Sequence, residues 1–546
     1  MTPFFTMDWK LQQTFRSRRA QETGAIPAGR GGNLSICLVY PNSYYVGMSS
    51  LGFQTVYRLF NEQPGVVCER AFLPDAKDTI YYEKGNNQLC SIESERPLSE
   101  FDVIAFSISF EPDFINLPRI LRLAGLPLLA SERAGLGLPL VIAGGAAFSL
   151  NPEPARPFLD AVVIGEAEAY IVTLVDMLQA CIDSQSPTQV LLQYCTISGI
   201  LELNSVQPAK QPRIAHTEII CDDTEFGHMY LVEVGRGCAR GCRFCAAGFA
   251  FQPYRQYPVE QLRNEIQNGV QLRKTIGLVG AAVSDHPDIE ELCQFIIECG
   301  GTPSLSSLRV DRLTPSLLSM LAQAGYKTIS IAPEGGSQRM RDLIRKNLTA
   351  GQILEAVRRV ANAGILNIKM YFIIGLPGES FDDLYEMMEL IRDVQATVVE
   401  EARRYKRIGE IILSVNPFIP KPFTPLQFAG MEPMSALKEK VAWLERQVRS
   451  IANVRIKVED LSGAYLQGLL SRGGQDLAQL LIKLSEGLSL RKGLKECGID
   501  IEQQVTKQLP VDQQLPWEYA PDKSRVRLVN EYMRAMRVAE NVNETV

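Results

Sequence analysis

Twice along this chain of 546 residues, short apolar runs of strand length alternate with helix-like stretches, and that alternation limits the fold more than any other feature. The first series runs LSICLVY (Leu34–Tyr40), VVCERAF (Val66–Phe72), FDVIAFSIS (Phe101–Ser109), LPLVIAGG (Leu138–Gly145) and DAVVIGEAE (Asp160–Glu168). Helical patterns fall at Gly47–Asn61, Pro112–Ala124 and Glu168–Ala180. Strands that are apolar throughout and joined by crossover helices predict a parallel, doubly wound sheet over residues 34–200. Ligands of such sheets sit beyond the carboxyl ends of the strands. The unusual residues fall there: Pro41-Asn42-Ser43, Ser107 and Ser109, Gly144-Gly145, and Gly165-Glu166.

The second series covers residues 225–430. Its strand candidates are Met229–Val234, Thr275–Ala282, Ser304–Val310, Lys327–Gly336, Ile368–Glu379 and Gly409–Pro420. The segment NPFIPKPFTPLQF (Asn416–Phe428) has four prolines, which predicts a stiff, extended exit. Residues 431–546 read as a mainly helical C-terminal cap, with helices at Ser435–Ala452, Ala464–Leu470, Gln475–Cys497 and Asp522–Val538. Residues 1–33 carry Arg16, Arg18, Arg19 and Arg30 and read as a poorly ordered lead-in with one short helix at Asp8–Ala20.

Between the two series lies GRGCARGCRFCAAGF (Gly235–Phe249), with Cys238, Cys242 and Cys245 spaced CxxxCxxC. Thiolates hold iron–sulfur clusters, and a cubane of four irons normally takes four of them. Three leave one iron open to a reactant, as catalytic metal sites keep a position free. Zinc is the rival reading, but it wants a fourth Cys or His at motif spacing. The chain has three His (His216, His228, His286), none at finger-like distance. Cys293, Cys299 and Cys497 lack such grouping and read as free or buried thiols. Composition adds little: 46% hydrophobic, 22% charged and a net charge of −6 are those of an ordinary globular protein without a general pull toward nucleic acid or anionic membrane. No apolar run reaches membrane-span length, the N-terminus lacks the apolar core of a secretory signal, and twelve cysteines without an export signal point to a reducing, cytoplasmic setting.

The cysteine loop resembles the signature of the radical S-adenosylmethionine (radical SAM) superfamily. The resemblance implies a [4Fe-4S] cluster on Cys238, Cys242 and Cys245, with SAM chelating the open iron, and a partial (β/α)6 TIM-like barrel built from the six strands above. Phe244 matches the aromatic often found beside the third cysteine, where it would keep water off the cluster. Gly280, Ala281 and Ala282 stand where the family holds the SAM amino group, although the glutamate often found there is missing and Ser284-Asp285 follow. Ser306, Ser307 and Arg309 stand where ribose and carboxylate contacts arise, and a guanidinium suits a carboxylate. Glu334 in APEGGSQRMR matches a recurrent strand-end glutamate, with Arg341 and Lys346 as candidate anion partners. For Glu334 the plain alternative is a charge beside a helix start. Gly375 in GLPGE matches the turn used against adenine, and Lys421 is either substrate-facing or solvated.

The first series resembles the flavodoxin-like, cobalamin-binding-type domain that precedes the barrel in one branch of that superfamily. Gly144 and Gly145 match its glycine pair, and Ser107 and Ser109 its hydroxyls toward the nucleotide tail of cobalamin. The branch often ligates cobalt through a His after the first strand, whereas here Pro41–Gly52 has none and no His precedes residue 216. The alternative is a module kept for packing or for substrate. Order and motifs along the chain are similar to those of poorly characterised bacterial members. The resemblance thus implies an enzyme that cleaves SAM reductively to a 5′-deoxyadenosyl radical, with cobalamin as methyl carrier and an unactivated carbon as acceptor, a cobalamin-dependent methyltransferase. Alternatives are a rearrangement, cyclisation or oxidation without methyl transfer, or an RNA methylthiotransferase-like modification. The last would need a second cluster, and Cys37, Cys68 and Cys90 do not have the spacing for it. A non-catalytic iron–sulfur or corrin sensor is hard to reconcile with Glu334 and Arg309. Expected partners are an unknown small-molecule or peptide substrate and an electron donor such as flavodoxin or ferredoxin, with no part for nucleic acid.

Overall fold

The computed structural model describes residues 7–26, 32–84, 87–184, 187–194, 200–202, 213–518 and 524–540. It is an α/β protein that divides into two compact units, Met1–Leu231 with Gly473–Ile499, and Val232–Arg472 with Asp500–Val546.

The first unit is built on a six-stranded parallel sheet of β1 (Leu34–Tyr40), β2 (Val66–Phe72), β3 (Val103–Ser107), β4 (Leu140–Gly144), β5 (Ala161–Ile164) and β6 (Ile200–Glu202), in the order β2-β1-β3-β4-β5-β6. Both β1 and β2 occupy the predicted residues, and their near-complete burial is what strands covered on both faces require. The chain reverses direction of progress between β1 and β3, so that edge is the switch point at which doubly wound sheets take ligands.

Residues 7–26 of the lead-in are docked rather than poorly ordered. Asp8 caps the helix Trp9–Ala20, Arg18 pairs with Asp75 at 2.8 Å and Arg19 with Glu95 at 2.8 Å. Behind that helix the fully buried Arg70 donates to Glu22 at 2.7 and 2.9 Å and to Glu93 at 2.6 Å. A buried guanidinium needs partners for all its donors, and Glu22 is therefore structural. Arg30 and its glycine neighbours at 29 and 31 lie outside the described residues.

The second unit begins within β7 (Met229–Glu233); β8 (Thr275–Val279) and β9 (Thr302–Leu305) follow in the sheet order β9-β8-β7, and β10 (Thr328–Glu334), β11 (Asn367–Ile374), β12 (Ile411–Pro417) and β13 (Val454–Val458) form a second sheet in chain order. The partial barrel is thus two arcs, and β13 is an addition to the six expected strands. The pairs β8 with β9, β10 with β11, β11 with β12, and β12 with β13 are parallel. Along β11 and β12 burial alternates residue by residue, which leaves one face of the arc half open. The strand β9 ends earlier than predicted, so Ser306, Ser307 and Arg309 lie in the loop beyond its carboxyl end.

The stretch 431–546 is mainly helical, as expected, but it is shared between the two units. Residues Gly473–Ile499 belong to the first unit, where Asn151 Nδ2 donates to Gly473 O at 2.9 Å and Gln475 Nε2 to Glu153 at 2.7 Å. The helix Ser524–Glu540 belongs to the second unit and packs on the helix Gln338–Leu343. Among the described residues, no helix is long and apolar enough to cross a membrane.

Candidate active site

The cysteine loop follows β7 and is pinned at both ends. A two-residue antiparallel pair, Gly235–Arg236 with Arg255–Gln256, closes its base. Gln252 Nε2 donates to Cys238 O at 2.9 Å and to Gly248 O at 3.0 Å, joining the first cysteine to the loop's far side. Two glycines make this closure possible. Gly237 has φ +71°, and a Cβ there would collide with the Phe251 carbonyl; one on Gly248 would collide with the Arg240 carbonyl. Phe244 packs against the apolar cluster that contains Phe428 and Trp517.

All three thiols are free. Burial pushes the Cys242 thiol up, opposed by the positive charges of Lys346 and Arg309, and burial lifts Cys245 to about 11. Cys242 feels the charge of Cys238, and Cys245 that of both Cys242 and Cys238, so the three lie close together. Among the described residues no three Cys, His, Asp or Glu side chains are arranged to hold a single ion. The donor set fits a thiolate cluster in charge. Arg240 N donates to Cys238 Sγ at 3.4 Å, and Lys346 and Arg309 offset the charge that a thiolate cluster brings.

Two loops bring the expected SAM residues to the same place. Glu334 ends β10 at φ +64°, a left-handed conformation that costs a non-glycine residue about 1 kcal/mol and that a strand interior would not select. Its buried carboxyl is pushed above the usual range by burial and held against this by Lys346, whose Nζ donates at 3.4 Å. Arg309 Nε donates to Asp311 at 3.0 Å and lies 3.8 Å from Asp285. Asp285 takes both donors of Arg240 from the cysteine loop, at 2.7 and 2.8 Å. This carboxylate thereby locks the loop to the segment carrying Arg309. The adjacent cleft is lined by Gly235, Gly237, Tyr254, Gln256, Gly280 and Ala281. Gly280 O accepts from Ser307 Oγ at 3.1 Å, Ser307 Oγ accepts from Val283 N, and Ser306 is exposed at the end of β9.

Arg341 is placed differently from expectation. It is buried, with its donors on Leu348 O (3.0 Å), Gly336 O (2.8 Å), Gly335 O (3.3 Å) and Gln338 Oε1 (3.2 Å). It braces the loop between Glu334 and Lys346 rather than facing an anion. Gly375, at φ +74°, donates its N–H to Glu379 at 2.7 Å, and Lys440 Nζ reaches Glu379 at 3.0 Å and Glu432 at 2.7 Å. Burial lifts the Glu379 carboxyl to about 7 despite that lysine. Lys421 Nζ donates to Ser471 Oγ at 3.3 Å. Sequence reasoning missed Lys440 and the locking role of Asp285, because both act through partners far along the chain.

In the first unit the strand ends form an exposed shelf: Tyr45 and Val46 after β1, Ser109 and Phe110 after β3, Gly145 after β4 and Gly165 after β5. Gly145 has φ +114° and packs so tightly on Ile108 that a Cβ would collide with its carbonyl. Ser107 is half-buried, Gly144 would bring a Cβ to 3.1 Å from Val163 O, and Ser109 hydrogen-bonds Tyr40. The shelf is apolar and small-residued, which fits a flat macrocycle held without a side-chain ligand to its metal. Cys37 and Cys68 lie enclosed in β1 and β2 and Cys90 is buried outside them, so they offer no open trio for a second cluster.

Two family models match the chain: radical SAM proteins, N-terminal, over residues 52–201, and the radical SAM superfamily over residues 232–391, together more than half of it. An uncharacterised protein of Methanocaldococcus jannaschii is 27% identical over 85% of this chain and 94% of its own length. The anaerobic magnesium-protoporphyrin IX monomethyl ester cyclase of Cereibacter sphaeroides is 25% identical over 50% of this chain, which spans 44% of that enzyme. Among solved structures, the cobalamin-dependent S-adenosylmethionine radical enzyme OxsB with aqua-cobalamin bound aligns at 15% identity and TM-score 0.48, covering 93% of this chain and 80% of that one.

Proposed function

The chain belongs to the radical SAM superfamily, with the [4Fe-4S] cluster and SAM that this implies, and from that premise we propose that it is a methyltransferase acting on an unactivated carbon with cobalamin as carrier. One observation carries the reading of the barrel: three free thiols, Lys346, Arg309 and Glu334 gather around Cys242 from loops distant in sequence. The cluster and SAM together supply one electron and the 5′-deoxyadenosyl group that takes hydrogen from the substrate.

The chain's own residues do the rest. Cys238, Cys242 and Cys245 would hold the cluster and leave one iron open to SAM. Arg309 offers a cation for the SAM carboxylate, positioned by Asp311 and Asp285. Glu334, whose carboxyl burial pushes upward and Lys346 orients, offers hydrogen bonds to ribose hydroxyls or the amino group. The Gly375 turn, fixed by Glu379 and Lys440, presents backbone to adenine. Phe244 lies in apolar packing beside the third cysteine, which limits water there.

The shelf formed by Tyr45, Val46, Ser109, Phe110, Gly145 and Gly165 supports the carrier. Cobalamin bound there would deliver a methyl group drawn from a second SAM. The test is anaerobic reconstitution with iron, sulfide and hydroxocobalamin, followed by desalting and a visible spectrum. Retained corrin bands, with 5′-deoxyadenosine formed under a strong reductant and lost in Cys242→Ala, are the expected result. Iron–sulfur absorbance alone would remove methyl transfer through cobalamin and favour a rearrangement, cyclisation or oxidation. No SAM cleavage in the wild-type protein would remove the enzyme itself.

A further inference from the structure

Between Cys242 and Phe244 stands Arg243, one of the few guanidiniums in the protein that is almost fully enclosed, at 7% exposure. Its Nη1 donates to Asp342 O at 3.1 Å and Leu343 O at 2.7 Å, carbonyls at the C-terminal end of the helix Gln338–Leu343. Its backbone N–H donates to Ile344 O at 2.9 Å, and its own carbonyl accepts from Leu426 N at 3.1 Å. Its Nε donates to Glu531 at 3.0 Å, nearly 300 residues away on the helix Ser524–Glu540.

Glu531 is itself 6% exposed and serves three cations. Besides Arg243 it takes Arg345 at 3.5 Å and Arg534 at 2.6 Å. Arg345 in turn lies against the cysteine loop, where a Cβ on Gly241 would come within 3.0 Å of its Nη1. One carboxylate therefore orders the guanidiniums that touch Gly241 and follow Cys242. The same helix contributes Arg527, stacked 5.3 Å from the Phe249 ring centroid at the loop's end, and Tyr532 within the apolar cluster that receives Phe244.

We propose that Glu531 is a positioning residue of the cysteine loop, acting through Arg243 and Arg345, and that the helix Ser524–Glu540 is a working part of the cluster site rather than an appendage for substrate. The proposal rests on the assignment of Cys238, Cys242 and Cys245 as cluster ligands. Partners that orient a metal ligand's own segment alter metal affinity by about 10- to 100-fold, and charge near a cluster sets its potential.

The full chain, reconstituted anaerobically, gives the test. Wild-type protein must bind iron and cleave SAM, and failure there strikes the cluster assignment alone. Glu531→Gln is then compared for iron per chain, the electron paramagnetic resonance spectrum of the reduced cluster with and without SAM, and the reduction potential. The expected result is iron retention lowered by about tenfold under a chelator challenge, together with a less negative potential. Losing a negative charge beside two guanidiniums favours the more negative, reduced cluster. Glu531→Asp should restore part of both. Full iron, an unchanged spectrum and an unchanged potential in Glu531→Gln overturn the proposal. If that variant does not fold, Arg345→Met, at a side chain 44% exposed, replaces it. There the potential should move the opposite way, and no movement overturns the proposal equally.

Discussion

Asp113 illustrates how a single buried acid leaves a measurable trace. It follows β3 at the switch point of the first sheet, and its Oδ1 accepts from Asn42 Nδ2 at 2.8 Å. Burial lifts its carboxyl to about 6, with the Asn42 hydrogen bond opposing. The folded protein thus holds this proton more tightly than the unfolded chain does. The contribution to stability is fully present below the ordinary carboxyl value, near pH 4, and is lost as pH rises to about 6. Asp113→Asn keeps the oxygen that Asn42 needs and removes the charge. It should leave stability unchanged near pH 4 and raise it by about 1–3 kcal/mol at pH 7.5, read as melting temperatures across that range. A variant no more stable than wild type at pH 7.5 would contradict this account. At this scale the sequence revealed residue types but not always their partners. Spacing singled out the three cysteines, and motifs Glu334 and Arg309, which the fold brings near Cys242. Arg341 looked like one more anion-binding arginine, and nothing local says that its donors are spent on four nearby oxygens.

At the scale of elements, the turn after β11 shows how a motif depends on a helix that follows it. A side chain at Gly375 would be strained by its φ of +74° and would crowd Leu437 at 2.9 Å and Glu432 at 3.1 Å, on the segment leading into and along the helix Met434–Val448. Lys440 on that helix is enclosed between Glu379 and Glu432, and the two carboxylates keep it charged even though burial opposes this. Lys440→Met would leave two buried acids without a cation. Breaking such a pair costs about 3–5 kcal/mol. The variant should melt at a clearly lower temperature, and its affinity for SAM, measured by calorimetry on the reconstituted protein, should fall by more than that of a surface control. Unchanged SAM affinity would mean the turn is held by Gly375 and its apolar contacts alone. The strands β1 and β2 were legible to the residue because β1 is almost wholly apolar and β2 has apolar residues at both ends, with only Glu69 and Arg70 between them. By contrast β13, VRIKV, alternates charge with apolar residues, and β6 has only three residues, so neither stood out. The helix Trp9–Ala20 was legible, but its docking was not, since Asp75 and Glu95 meet it only through the fold.

For the whole molecule, the chain does not run through its units in order. It leaves the first after residue 231, builds most of the second, returns for Gly473–Ile499, and then finishes the second. No composition shift marks these crossings, which is why a single helical tail was expected from 431 onward. The returning segment is substantial. Its helix Ala478–Ser485 packs on the helix Asn116–Leu123 and on the short turns Glu111–Ile115 and Glu153–Phe158. Leu480 and Leu481 are fully buried, Arg122 Nη1 donates to Ser485, and Asn151 and Glu153 are each satisfied by this segment. A fragment of residues 1–231 would expose those apolar faces and lose the hydrogen bonds that Gly473 and Gln475 make to it. It should therefore aggregate or melt without cooperativity. The same fragment joined through a flexible linker to residues 473–499 should give one sharp thermal transition. If the short fragment melts as sharply and as high, the returning helices are peripheral to the first unit. If only the joined form does, the first unit cannot complete its folding until residue 499 has been made, and the second cannot finish its apolar cluster until Trp517 and Tyr532 follow.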